Sequence, residues 1–401
     1  MNPNKAPIGQ NGFFEQEILK NLLSSMRELV IGIPKERIPN ETRLALTPEA
    51  VGLIVDQGHR VLIERGSGFG INYTDSDFAE QGAEILDTST DVYQSDIIFK
   101  ILPPTLEEAE MMKPRATLFS FIQLIDFSSA VLDCLVRKKI TAIAYELICD
   151  EHQSLPILNA ISEIEGLAAV SIAADLLSSS HNGKGILLGG VPGVPPTEVV
   201  VLGAGLAGTA AAKGALGLGA LVKVFDDDVF RLRNIQRILN QQIYTCNFQP
   251  NVLDNAFLSA DVVIGALHFM TTGIRHVISE EFVKQMKKGA VIVDLRVSRG
   301  GCFETTCCRK ASDPYLYTQF GVVHYCMPNI SCNVARTTAM ALSNVFVPMI
   351  HRIGEVGGVS ALLKIDSGFK KGVYLFDGRL VNRYVANHFN TVAGDLDIFL
   401  S

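Results

Sequence analysis

The residues best suited to chemistry lie mid-chain. In Val199-Val-Val-Leu-Gly203-Ala-Gly205-Leu-Ala-Gly208, three glycines follow a β-branched run and open a helical one. Each serves a different purpose. Gly203 allows a tight turn, Gly205 lets backbone approach a pyrophosphate, and Gly208 lets helix and strand pack closely. The first N–H groups of the helix, at Leu206, Ala207 and Gly208, then face the phosphates of a dinucleotide. The next apolar run, Leu221-Val-Lys-Val-Phe, ends in Asp226, a carboxylate able to accept hydrogen bonds from the adenine ribose. An acid there favours NAD over NADP, because a 2′-phosphate would meet Asp226, Asp227 and Asp228 before Arg231 could compensate.

These residues need strands and helices to hold them, and the chain supplies two winding series. The first has apolar runs at Val30–Ile33, Arg60–Glu64, Asp96–Leu102, Ala116–Ile122 and Thr141–Leu147, with helices opening at Thr47-Pro48 and spanning Ser128–Lys138. Thr47 can cap helix amides, and Pro48 suits a first turn that needs no N–H. The second series starts after a helix over Ser162–Ser178 and a glycine-rich loop. It places strands at Glu198–Leu202, Leu221–Asp226, Ala260–Leu267 and Ala290–Val297, and helices at Gly205–Gly217 and Ser279–Lys288. Both series predict parallel sheets. From Arg336 to Val356 the pattern is helical with no strand after it, as if the chain returned to the first domain. The expected fold is α/β, with two doubly wound Rossmann-like domains. Residues 1–28 form an N-terminal helical extension, 29–157 plus 335–390 a substrate domain, and 158–334 the NAD-binding domain.

Composition narrows the classes. The 401 residues allow two or three domains of ~150 residues. With 48% hydrophobic and 19% charged residues, a disordered chain is excluded. The net charge of -7 and the lack of any basic run argue against a nucleic-acid partner. Mean hydropathy is positive. Even so, Gly or a charge interrupts each apolar stretch before the ~20 residues of a spanning helix, so no membrane insertion is expected. The first twelve residues lack a signal-peptide core, which leaves the cytoplasm as the expected location. Eight cysteines, five of them between Cys302 and Cys332, are too few and too unevenly placed for a disulfide framework. No Cys-x-x-Cys pair accompanies His324, so no metal site is expected.

Several further motifs surround these elements. They are Gly32-Ile-Pro-Lys-Glu, Asn40-Glu-Thr-Arg43-Leu-Ala-Leu-Thr-Pro48, Ile63-Glu-Arg-Gly-Ser-Gly68, Ala144-Tyr-Glu146, Ser162-Glu163, Gly189-Gly-Val-Pro-Gly-Val194 and Gly300-Gly-Cys-Phe-Glu304. With them the chain, from about Val30 to Tyr374, resembles the alanine dehydrogenase family, whose N-terminal region is shared with the NAD-binding subunit of proton-translocating transhydrogenase. The resemblance implies reversible oxidative deamination of L-alanine, with hydride passing to NAD in a cleft between the two domains. It also implies a homo-oligomer, commonly a hexamer, and a small-molecule amino acid or 2-oxo acid as the partner. By the same resemblance Arg43 is the clamp for the substrate carboxylate. Ser162, Arg231, Leu267, His268 and Asn329 join the glycine loop and Asp226 as cofactor contacts.

Three positions depart from the family pattern. Lys100 is retained, but Leu102 stands where the family has its substrate-binding Lys, and Gln123 where it has its acid/base His. An amide cannot exchange protons near neutral pH. Ser298 replaces the catalytic Asp, and Arg296 and Arg299 add positive charge beside it. Losing a general acid/base typically lowers the rate by about 10² to 10⁴. Lys100 and His268 are the candidate substitutes. Two alternatives to a working dehydrogenase therefore stay open: a catalytically impaired NAD(H)-binding homologue serving as sensor or oligomer partner, and a transhydrogenase-like hydride-transfer subunit. The stretch Ser154-Leu-Pro-Ile-Leu-Asn-Ala-Ile-Ser-Glu resembles the dehydrogenase branch.

Overall fold

In the computed structural model, residues 28–124, 127–267, 278–297, 300–306 and 315–400 are described. The expected N-terminal helix, His268, Ser298 and Arg299 lie outside them. The chain divides into two compact units. One comprises residues up to Glu36, Leu44–Pro156 and Leu342 onward; the other comprises Arg37–Arg43 and Ile157–Ala341.

The first unit opens with strands β1 (Val30–Ile33), β2 (Arg60–Glu64), β3 (Glu84–Leu86), β4 (Ile97–Phe99), β5 (Thr117–Ser120) and β6 (Thr141–Ala144), all pairing in parallel. Thr47 caps the helix Pro48–Asp56 by accepting from the Ala50 N–H, and Ser128 caps Ser129–Arg137 through the Val131 N–H. Gly32 is needed in β1 because a Cβ there would stand 2.5 Å from the Val92 carbonyl oxygen. The core stacks Phe99 on Phe119 at 4.6 Å, with Phe346 tilted against Phe99 at 5.0 Å.

The second unit carries β7 (Glu198–Leu202), β8 (Leu221–Phe225), β9 (Tyr244–Cys246), β10 (Val262–Gly265), β11 (Val291–Asp294), β12 (Leu316–Gln319) and β13 (Val322–Tyr325), in the order β12-β13-β11-β10-β7-β8-β9. Val199, Val201, Val262, Ile264, Val291 and Val293 feed one buried cluster; Val200, Leu202, Val263 and Ile292 feed another. Alternate residues thus enter opposite cores, as a sheet covered on both faces requires.

Three expectations are corrected. A strand does follow the last long helix, Ala335–Glu355: β14 (Val373–Phe376) pairs antiparallel with β6 and with β15 (Arg379–Leu380). Since β12 also pairs antiparallel with β13, both sheets are mixed rather than purely parallel. The hairpin signal was present in Asp377-Gly378, whose φ values of 45 and 75 suit a two-residue turn. The helix expected over Ser279–Lys288 is confined to Glu280–Lys284.

The helix Pro156–Leu177 is long and apolar enough to cross a bilayer by length and composition. One side of it packs inside the second unit: Ala169, Ala173 and Leu177 are fully buried, and a Cβ on Gly166 would meet the Ala207 carbonyl oxygen at 2.2 Å.

His59 tests the packing of the first unit. It is 3% exposed, and neither ring nitrogen has a hydrogen-bond partner among the described residues. Burial lowers its pKa below the ordinary value, and nearby His351 adds to the effect while Glu28 opposes it. Below about pH 6.5 the unfolded chain takes up a proton that the folded chain refuses, so stability is expected to fall with pH in that range. Denaturant midpoints at about pH 7.5 and 5.5 should show this loss, and His59→Leu should remove His59's share of it.

Candidate functional site

The glycine turn is built as its sequence demands. β7 ends at Leu202, Gly203 takes φ 106, and a Cβ there would lie 2.6 Å from the Ala266 carbonyl oxygen and 3.0 Å from the Leu267 nitrogen. Gly208 is more tightly constrained, since its Cβ would fall 1.8 Å from the Gly203 carbonyl oxygen. Gly205 precedes the helix Leu206–Gly217 with no side-chain cap, and a Cβ on it would meet nothing within 4 Å. Open space therefore fronts a helix end whose first N–H groups have no intrahelical acceptor. Such a site suits an anionic diphosphate.

Asp226 closes β8 and is 1% exposed. Its Oδ2 accepts from the Ala204 N–H at 2.6 Å and its Oδ1 from the Asp228 N–H at 2.9 Å. Burial raises its pKa, while the two backbone donors and Arg231 favour the charged form. The carboxylate thereby ties the end of β8 to the glycine turn, and each oxygen retains lone-pair capacity for a further donor. Arg231 Nη1 stands 4.0 Å from Asp226 and its Nε 3.6 Å from Asp228, so the cation is shared between these acids. Leu267 is buried at the end of β10, beside Gly203. Ser162 is half-buried on the helix Pro156–Leu177, and Asn329 half-buried just before the short helix Ile330–Val334.

Arg43 belongs to the second unit, although it precedes the first unit's main body in sequence. It is 3% exposed, and its fork is already gripped: Nε donates to Glu41 Oε1 at 2.8 Å and Nη2 to Oε2 at 2.6 Å. Nη1 donates to Ser331 Oγ at 3.1 Å. Glu41 and Arg43 are two residues apart, and their side chains meet. The spacing Glu-x-Arg was thus a readable signal that sequence reasoning missed.

Lys100, Leu102 and Gln123 lie in the first unit. Lys100 is 2% exposed, and its Nζ donates to Glu36 and Glu108, each at 3.0 Å. Burial alone would lower its pKa, but the two carboxylates outweigh burial and hold it above the ordinary amine value. A proton shuttle near neutral pH requires the opposite shift, so Lys100 does not fit the substitute role expected for it. Glu36 Oε1 also accepts from the Ile101 N–H at 2.6 Å, which fixes the chain entering Leu102, itself 4% exposed. Gln123 is half-buried after β5.

Asp294 ends β11 with its carboxylate turned into its own loop, accepting from Arg296 N–H at 2.9 Å, Cys302 N–H at 2.7 Å and Thr306 Oγ at 2.7 Å. Burial raises its pKa. That loop contains the position of Ser298. His324 is fully buried, with Nε2 2.9 Å from Thr305 Oγ1, and stacks on Tyr317. Among the described residues, no group of three or more His, Cys, Asp or Glu could hold a metal ion.

Comparison with known proteins follows the same outline. The profile described as "Alanine dehydrogenase/PNT, N-terminal domain" matches residues 32–165, and that of the C-terminal domain matches 169–383. An alanine dehydrogenase of Staphylococcus epidermidis is 36% identical over 360 residues, covering 90% of this chain and 96% of its own. A solved L-alanine dehydrogenase superposes with a TM-score of 0.84 and 35% identity, over 90% of this chain and 99% of that one. A transhydrogenase from Sinorhizobium meliloti shares the fold, with a TM-score of 0.74 and 22% identity over 88% of this chain and 99% of that one.

Proposed function

We propose that this chain, which belongs to the alanine dehydrogenase/PNT family, binds NAD and catalyses the reversible oxidative deamination of L-alanine or a related amino acid to the 2-oxo acid and ammonia. The observation that carries the reading is the open space before Gly205 at an uncapped helix end, with Asp226 beside it. These residues fit a dinucleotide. The N–H groups of Leu206, Ala207 and Gly208 would hold the diphosphate, and Asp226 the adenine ribose hydroxyls. Asp227 and Asp228 disfavour an added 2′-phosphate, which supports NAD over NADP. When bound, NAD supplies the hydride acceptor.

The chain's own residues then have limited roles. Arg43 meets the substrate carboxylate with directed hydrogen bonds. Gln123, where the family has its acid/base His, can donate or accept a hydrogen bond but cannot carry a proton away. Leu102, where the family has a Lys, carries no charge. With Lys100 locked between Glu36 and Glu108, these features favour one second reading, an NAD(H)-binding homologue in which turnover is impaired.

The deciding assay follows NADH absorbance with pyruvate and ammonium, repeated with glyoxylate and oxaloacetate. Turnover lowered roughly 100-fold in kcat/KM by Arg43→Ala supports the dehydrogenase, since truncating one partner of a buried charge pair has effects of that order. NADH binding without turnover on any of the three oxo acids rejects the dehydrogenase for the second reading. In that case a variant carrying Leu102→Lys, Gln123→His and Ser298→Asp that gained activity would locate the loss.

A further inference from the structure

We propose that Glu41 is the positioning residue for the carboxylate-binding arginine: it holds one edge of the Arg43 fork, so that a ligand carboxylate meets Arg43 at its Nη1 end. This rests on the reading of Arg43 given above. The placement starts with a turn. Glu41 N–H donates to the Ile38 carbonyl at 3.1 Å, and Asn40 takes φ 66 after Pro39, the residue pattern of a tight turn with a positive φ at its third position. After the turn, the Glu41 carboxylate meets both the backbone N–H and the guanidinium of Arg43.

Four donors converge on the Glu41 carboxylate. Oε1 accepts from the Arg43 backbone N–H at 3.0 Å, from Arg43 Nε at 2.8 Å and from Cys332 Sγ at 3.3 Å, while Oε2 accepts from Nη2 at 2.6 Å. Thr42 Oγ1 lashes the same segment to the Cys332 carbonyl at 2.9 Å. Glu41 and Arg43 are only 9% and 3% exposed, so water competes little for these bonds. The bidentate grip expected of Arg43 for its substrate is therefore already made, internally, on the Nε/Nη2 edge. Taking that edge from Glu41 would leave a buried carboxylate without its cation, the most costly outcome for such a pair. A ligand carboxylate instead takes over hydrogen bonds that Nη1 makes in the resting protein, the one to Ser331 Oγ among them. Because Glu41 cancels the charge of Arg43, the ligand is selected by the direction of these N–H groups more than by net attraction.

The test uses the full chain with NADH bound and oxamate as an unreactive probe for a 2-oxo acid. Glu41→Asp keeps the charge but is one methylene too short to span both Nε and Nη2. It is expected to weaken oxamate binding about tenfold, the size of one charge-assisted hydrogen bond. Where turnover is measurable it should raise KM for the oxo acid by a similar factor with kcat within about twofold, and leave NADH affinity unchanged. Unchanged oxamate affinity with a lowered melting temperature would make Glu41 merely structural, and tighter oxamate binding would make it a competitor; either overturns the proposal. A crystal structure of the wild-type complex with NADH and oxamate serves if the variant fails to fold. It should show oxamate at Nη1 with Glu41 still on Nε and Nη2, and oxamate seated on the Nε/Nη2 edge overturns the assignment. Failure of oxamate to bind the wild-type protein at all overturns it too. Absence of turnover with oxamate still bound would reject the dehydrogenase reading while leaving Glu41 to be judged by these measurements.

Discussion

Gly205→Ala is expected to weaken NADH binding roughly 10- to 100-fold while leaving the fold intact. The added methyl meets no protein atom within 4 Å, and Gly205 has φ -73, which alanine adopts without strain. Under the proposed reading, what the methyl would meet is the bound diphosphate. Displacing the phosphates from the helix end removes charge-assisted hydrogen bonds of about 1.5–3 kcal/mol each, and ~1.4 kcal/mol is tenfold in affinity. The neighbouring glycines give the contrast. Gly203→Ala places a side chain at φ 106 and 2.6 Å from the Ala266 carbonyl, and Gly208→Ala drives one to 1.8 Å from the Gly203 carbonyl. Those two variants should lose stability and binding together, Gly203→Ala by roughly 1–3 kcal/mol of stability for its strained backbone and Gly208→Ala through its clash with the Gly203 carbonyl. NADH fluorescence titration beside thermal melting separates the cases. Wild-type NADH affinity in a folded Gly205→Ala protein would mean that the diphosphate does not sit at this turn.

Lys100→Met should be among the most destabilising single changes in the first unit. It leaves the buried side chains of Glu36 and Glu108 around a thioether in place of the ammonium 3.0 Å from each. Removing one partner of a buried ion pair typically costs about 3–5 kcal/mol, because the remaining charge is uncompensated. Glu108 is anchored independently: its Oε2 accepts from the Thr105 N–H at 2.8 Å in a capping box, so it cannot readily turn toward solvent. Combining Lys100→Met with Glu108→Gln should restore part of the lost stability, since only one carboxylate then lacks a cation. Denaturant midpoints measure both. A Lys100→Met protein as stable as wild type but without turnover would move Lys100 from the scaffold into the chemistry.

Local signals made the winding series readable. Thr47-Pro48 marked a helix start, and the β-branched runs at Val30–Ile33, Glu198–Leu202 and Leu221–Phe225 appear as strands. The glycine turn could be read because each glycine answers a steric demand of the backbone within a few residues of itself. Strands β14 and β15 were missed although Asp377-Gly378 announces their turn, because four residues are too few for period to tell strand from helix. Glu41 and Glu108 lie only 2 and 8 positions from Arg43 and Lys100, but the second partner of each cation was harder to read for a different reason. Ser331 lies 288 positions from Arg43 and Glu36 lies 64 from Lys100, so no window of sequence contains both members of either pair.

Sequence alone determined the family, the dinucleotide turn and the residue types at the departing positions, because these depend on side-chain identity and on backbone sterics over short spans. Tertiary structure alone decided how the retained cations are surrounded. Arg43 and Lys100 look like available charges in the chain, yet each is buried against carboxylates, and a buried charge without a counterion is too costly to persist. Whether such a group grips a ligand or supports the scaffold is set by what folding packs around it.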